Sequence, residues 1–138
     1  MTFENFQLKY IDVKVDYDKA YGPQCVDLFR QYAKDVGEIS ERLESCGTSG
    51  GAKDLYLDYD KMEKEKKYFK KLSPKKTPKS GDVAVWNSTS KNKYGHVAIV
   101  VQNYPNSVVV FEQNGYMQDG AKYNIRSKEN LLGYLRLR

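Results

Sequence analysis

Apolar residues keep two different rhythms along this chain. Between Cys25 and Val36, the residues Val26, Phe29, Ala33 and Val36 recur at steps of three or four. That spacing gathers them on one face of a helix, so a helix is predicted here. Gly22-Pro23 breaks the chain before it and Gly37 ends it. A second helical segment is expected across Ile39 to Glu44, a loop at Ser45 to Gly51, and a short helix within "AKDLYLDYD". The prolines and glycine of "SPKKTPKSG" predict an extended connector.

After Ser80 the rhythm changes. "DVAVW" (82–86), "HVAIVVQ" (96–102), "SVVVFEQN" (107–114) and "GYLRLR" (133–138) are short, rich in Val and Ile, and separated by turn residues. They read as strands. "NYPNS" is a tight turn that joins the second and third into a hairpin. Helices first and strands afterwards predict an α+β fold, N-terminal helices packed on a C-terminal antiparallel sheet, with the strands in a meander. With 138 residues and neither an internal repeat nor a linker, the expectation is one domain over 1–138.

Composition adds exclusions. The chain is 40% hydrophobic and 30% charged, ordinary for a soluble globular protein. No apolar run approaches the ~18 residues of a membrane helix, so no membrane insertion is expected. The first residues lack a basic head followed by an apolar block, which argues against a secretory signal and for synthesis in a cytoplasm. Twelve tyrosines either pack with their hydroxyls toward water or line a polar groove. Residues 61–79 hold nine lysines against two glutamates, a local +7 that leaves −2 on the rest of a +5 chain. The segment is a solvated face or an attractor of polyanions. No named nucleic-acid motif accompanies it, so no nucleic-acid partner is expected.

There is one histidine, His96, and two cysteines, Cys25 and Cys46. A disulfide is disfavoured in a cytoplasmic chain, and the set is too small for a zinc site of the usual spacing. Any thiol–imidazole chemistry must therefore use His96. Cys25 heads a predicted helix, where unpaired N–H groups favour a thiolate. His96 opens a predicted strand, and Glu112 and Asn114 share one face of the next. Cys25, His96 and Glu112 or Asn114 would supply thiolate, imidazolium and orienting acceptor, the parts of a papain-type nucleophile. The alternative is a structural cysteine and an incidental histidine. Cys46, in a polar loop, reads as a spare thiol.

The blocks "YGPQCVDLFRQY", "KSGDVAVW", "YGHVAIV" and "VFEQN", in this order, resemble the CHAP family of cysteine, histidine-dependent amidohydrolases and peptidases. The likeness is to the catalytic domain of bacteriophage endolysins and spans nearly the whole chain. It implies a papain-like fold and hydrolysis of an amide in the peptide part of peptidoglycan. Cys25 would be the nucleophile, His96 the general base, Glu112 the residue orienting the imidazole, and Asn114 a further polar partner. Gln24 would stand where the family can place an oxyanion donor. The implied activity is an endopeptidase acting within stem or cross-bridge. The alternatives are an N-acetylmuramoyl-L-alanine amidase with the same residues, or a wall- or polyanion-binding module without catalysis. One departure stands out: "EQN" is followed by Gly115-Tyr116, where tryptophan is usual. Tyr116 and Trp86, the sole tryptophan, are groove candidates, with core packing the other reading of Trp86.

"DYDKAYGPQCVD" crowds Asp16, Asp18 and Asp27 around the thiol. Alternating aspartates suit a hard cation that takes six to eight oxygens, or else an acidic loop with a capping residue. The resemblance favours the cation: Ca2+ held by Asp16, Asp18 and Asp27 and the backbone oxygens of Ala20 and Gly22, cancelling acidic charge beside Cys25. The expected partners are peptidoglycan and, through residues 61–79, anionic wall polymers. The chain is expected to be a monomer that acts on the wall after release from the cytoplasm.

Overall fold

The computed structural model describes residues 1–17, 24–44, 46–114 and 119–138. The elements are α1 (Phe3–Tyr10), α2 (Cys25–Asp35), α3 (Asp54–Leu57), a 3-10 turn (Tyr59–Lys61) and α4 (Glu63–Tyr68). The strands are β1 (Phe69–Leu72), β2 (Val83–Trp86), β3 (His96–Asn103), β4 (Ser107–Glu112), β5 (Lys122–Ser127) and β6 (Leu131–Leu137). The strands form one antiparallel sheet in the order β1-β6-β2-β3-β4-β5. The α+β expectation holds.

Alternation along the strands divides the interior in two. Val83, Val85, Val97, Ile99, Phe111 and Leu135 join the helices in the main core. Ala84, Trp86, Ala98, Val100, Val108, Val110 and Tyr134 form a smaller cluster. Central strands buried on both faces read as unbroken apolar runs, which is why they were recognisable. α2 lays Leu28, Phe29, Tyr32 and Ala33 into the main core. At the carboxyl end of the chain, buried Asp82 takes two charge-assisted bonds from Arg136 at 2.7 and 2.8 Å, tying β6 to the residue that precedes β2.

The sequence reading needs four corrections. Residues 39–44 are not helical. Ile39 and Leu43 are buried with helical spacing, but they pack from irregular chain, and Glu38 before them has φ 55°. The sheet is not a simple meander, because β6 returns to pair with β2 on its free side and carries β1 beyond it. Two strands went unread: β1 lies among lysines, and β5 alternates between half-buried and exposed positions, as edge strands do. The N-terminal helix α1 was also missed. Thr2 caps it by accepting from the Asn5 N–H at 3.1 Å, and Phe6 buries its ring against Tyr32 and Phe111. The hairpin of β3 and β4 and the short helix within 52–60 are present as expected. No described helix is long and apolar enough to cross a membrane.

Candidate active site

The N-terminus of α2 meets the start of β3. Gln24 is extended (φ −131°, ψ 167°) and donates its backbone N–H to Asp27 Oδ2 at 2.9 Å. The buried carboxylate at the third helical position thus satisfies the backbone just ahead of Cys25, as in a capping box. Before His96 stands Gly95, with φ 75°. A Cβ there would lie 2.4 Å from the Trp86 carbonyl oxygen, so glycine is what lets the chain enter β3 so close to β2.

His96 pairs in register with Trp86, and its Nε2 lies 2.9 Å from Glu112 Oε1. The imidazole also faces the thiol: His96 and Cys25 line one cleft, and each acts on the titration of the other. Burial alone would push the Cys25 thiol up. The hydrogen bond and positive charge of His96, with backbone N–H groups at Val97 and Val26, outweigh it and hold the thiol below its ordinary value. Burial likewise opposes the imidazolium, but Cys25 on one side and Glu112 on the other raise His96 to about 9. Burial would raise Glu112 too, yet His96 and Arg126 bring it down to about 2. These directions favour a charged row of thiolate, imidazolium and carboxylate. Such a row can attack a carbonyl carbon and return a proton to the departing nitrogen.

Glu112 has further partners that the sequence reading did not name. Asn124 Nδ2 donates to its Oε2 at 2.8 Å, Arg126 Nη2 to the same oxygen at 3.0 Å, and Arg126 Nε to Oε1. Both donors sit on β5, the strand without an apolar signature, so nothing in the sequence pointed to them. Trp86 is buried, donates its indole N–H to the Ser127 carbonyl at 3.0 Å and lies under the Arg126 guanidinium. It also lines a hollow of about 300 Å³ beside His96. Both readings of Trp86, core and lining, therefore have a basis.

A cleft of about 530 Å³ runs over the thiol, lined by Gln24, Cys25, His96 and Asn114 on one side and by Ser49, Gly50, Gly51 and Tyr94 on the other. Buried Asp54 shapes the far wall, accepting N–H groups from Gly47, Ser49, Gly50 and Gly51 and the Ser49 hydroxyl, at 2.7–3.3 Å. A carboxylate gathering four backbone donors fixes a loop that has no sheet to pair with. Asn114 has φ 53°, past the end of β4, so strict alternation no longer relates it to Glu112. Glu112 is the acceptor at the imidazole, and Asn114 lines the cleft. Gln113 between them is buried and bonds across the molecule: Nε2 to the Val15 carbonyl at 2.7 Å and the Gln24 carbonyl at 2.9 Å, Oε1 from the Val15 N–H at 2.6 Å.

The CHAP domain family model matches residues 14–114. The chain belongs to the CHAP domain family. The match takes in Cys25, His96 and Glu112 and ends on Asn114. Among curated proteins the chain resembles endolysin PlyTW of Staphylococcus phage Twort, 31% identical over 121 residues, 80% of this chain and 23% of that protein. The chain thus spans about a quarter of that relative's length. Among solved structures, the endolysin LysIME-EF1 superposes with a TM-score of 0.62 at 17% identity, covering 99% of this chain and 64% of that one. Ly7917, solved with the hydrolysing product of MDP, superposes at 0.60 and 18% identity over 83% of this chain and 53% of its own. At such identities the likeness is one of fold, the α+β papain-like fold of CHAP domains.

For the expected cation, Asp18, Ala20 and Gly22 lie outside the described residues, as does Tyr116. Among the described residues no group of three or more acidic, histidine or cysteine side chains converges as a metal would need. Asp16 Oδ1 is buried with no hydrogen-bond partner among the described residues, a state that a cation would relieve. Asp16 therefore fits the group, and Asp27 gives its Oδ2 to the Gln24 N–H at the cap of α2. Both cysteines are free thiols; Cys46 is exposed.

Proposed function

We propose that this CHAP domain, residues 1–138, hydrolyses an amide bond in peptidoglycan by covalent thiol catalysis, as an endopeptidase of the stem or cross-bridge peptide. The observation that carries the reading is the meeting of Cys25 and His96 in one cleft, with Glu112 2.9 Å from the imidazole. The Cys25 sulfur attacks the scissile carbonyl, and His96 protonates the departing amine. Water, deprotonated by the same imidazole, then releases the acyl group. The Gln24 side chain and the Cys25 backbone N–H are the oxyanion donors. The cleft suits an extended peptide, because its glycine-rich wall lets a backbone approach closely. Family membership and the resemblance to a phage endolysin support the substrate class.

In this proposal Ca2+ is held by Asp16, Asp18 and Asp27 with the backbone oxygens of Ala20 and Gly22, and serves structure by neutralising the acidic loop next to the thiol. The eight lysines exposed between positions 61 and 79 draw the monomer to anionic wall polymers. The protein acts on the wall after release from the cytoplasm in which it is made.

Turbidity of purified Gram-positive walls tests the reading. Cys25→Ser is expected to slow clearing at least about a thousandfold; undiminished clearing removes Cys25 from the mechanism. No clearing by the unaltered protein with calcium supplied favours a binding module. Mass spectrometry of the released fragments separates endopeptidase from muramoyl-alanine amidase by the new terminus. Chelation is expected to lower both the melting temperature and the clearing rate, and added calcium to restore both. Indifference of the two leaves the aspartates as a plain acidic turn.

A further inference from the structure

Three consecutive residues at the end of β4 do three different things. Glu112 turns to the imidazole and Asn114 to the cleft, while Gln113 turns away from both and spends its amide on backbone. Its oxygen accepts the Val15 N–H, and its nitrogen donates to the carbonyls of Val15 and Gln24. The first two bonds pair one amide with both polar groups of a single residue, as a neighbouring strand would. The third reaches the residue directly before Cys25. The chain thus leaves this amide at Val15 and is held by it again at Gln24, 98 and 89 residues away in sequence.

We infer that Gln113 is a positioning residue for the thiol: through the Gln24 carbonyl it holds the start of α2 against the end of β4, and so sets Cys25 in line with His96. The bond geometry carries this. Glu112 and Gln113 share a peptide unit, so the imidazole's acceptor and the nucleophile's tether move together. The segment between Val15 and Gln24 has no sheet pairing among its described residues, and the amide at Gln113 supplies it. A misplacement of the sulfur by about 1 Å costs on the order of a hundredfold in rate, which makes such a tether consequential.

The inference rests on Cys25 being the nucleophile, and the experiment keeps the two apart. Iodoacetamide alkylation of Cys25, followed by peptide mass spectrometry so that Cys46 is counted separately, is measured against pH for the unaltered protein, Gln113→Glu and Gln113→Met. Glutamate keeps the acceptor and loses both donated bonds; methionine keeps the shape with no charge. Both variants are expected to move the alkylation midpoint of Cys25 to higher pH. Both are also expected to lower kcat roughly tenfold to a hundredfold with KM little changed. A midpoint unmoved in Gln113→Met, or moved only by the new carboxylate of Gln113→Glu, overturns the inference. So does loss of near-ultraviolet circular dichroism in both variants, which assigns the residue to global stability. A midpoint in the unaltered protein no lower than that of Cys46 overturns the nucleophile itself.

Discussion

The two ends of the row Cys25–His96–Glu112 are held by different means. On the sheet side, His96, Glu112, Asn124 and Arg126 sit at register positions of β3, β4 and β5 and touch one another side chain to side chain. On the loop side, Cys25 heads α2 directly after irregular chain, and the far wall of the cleft is irregular chain as well. That chain is organised by single side chains that collect backbone groups: Asp27 at Gln24, Asp54 at the 47–51 turn, Gln113 at Val15 and Gln24. The contrast is instructive. A sheet places residues by its ladder, so its side chains are available to tune charge. A loop must use side chains merely to have a shape.

The largest effect expected on the sheet side is from Glu112→Gln. It keeps an acceptor but removes the charge, and kcat/KM is expected to fall about a hundredfold. In the unaltered protein the alkaline limb of kcat/KM is expected at about 9, where His96 loses its proton; in the variant it should move to lower pH. Stability follows the same groups. Glu112 titrates at about 2 when folded against 4.5 when free, so its contribution is present above 4.5 and is lost as pH falls through 2. His96, raised to about 9, contributes below its free value of 6.5, and this is lost as pH rises through 9. Acid unfolding monitored by circular dichroism checks the first: Glu112→Gln should flatten the decline between pH 4.5 and 2. An unchanged acid limb and pH profile would mean that the carboxylate does not govern the imidazole.

The loop side should fail differently. Asp54→Asn removes the charge that four backbone donors share and turns an NH2 toward the Ser49 hydroxyl, and is expected to raise KM about tenfold while leaving kcat within a few-fold, because the wall and not the row is disturbed. Equal losses in kcat would show that the two sides are not separable. The smallest effect concerns neither side. Replacing Lys64, Lys70, Lys75 and Lys76 with glutamine should weaken wall binding a few-fold at low salt and leave hydrolysis of a soluble peptide unchanged. Equal loss on both substrates would tie these lysines to the fold.

The chain's own pattern determined the helix from Cys25 and the central strands, and a single histidine left His96 as the one imidazole available; Cys25 as the thiol and Glu112 rather than Asn114 as the acceptor came from the family resemblance. Tertiary structure decided what partners each of them. Arg126 and Asn124 stand on an edge strand whose half-exposed alternation carries little hydrophobic signal. Gln113 bonds to backbone nearly a hundred residues away, and Asp54 takes up donors that any residues there would offer. Such pairings depend on where the chain returns to itself, and a backbone N–H or carbonyl looks the same at every position in the sequence.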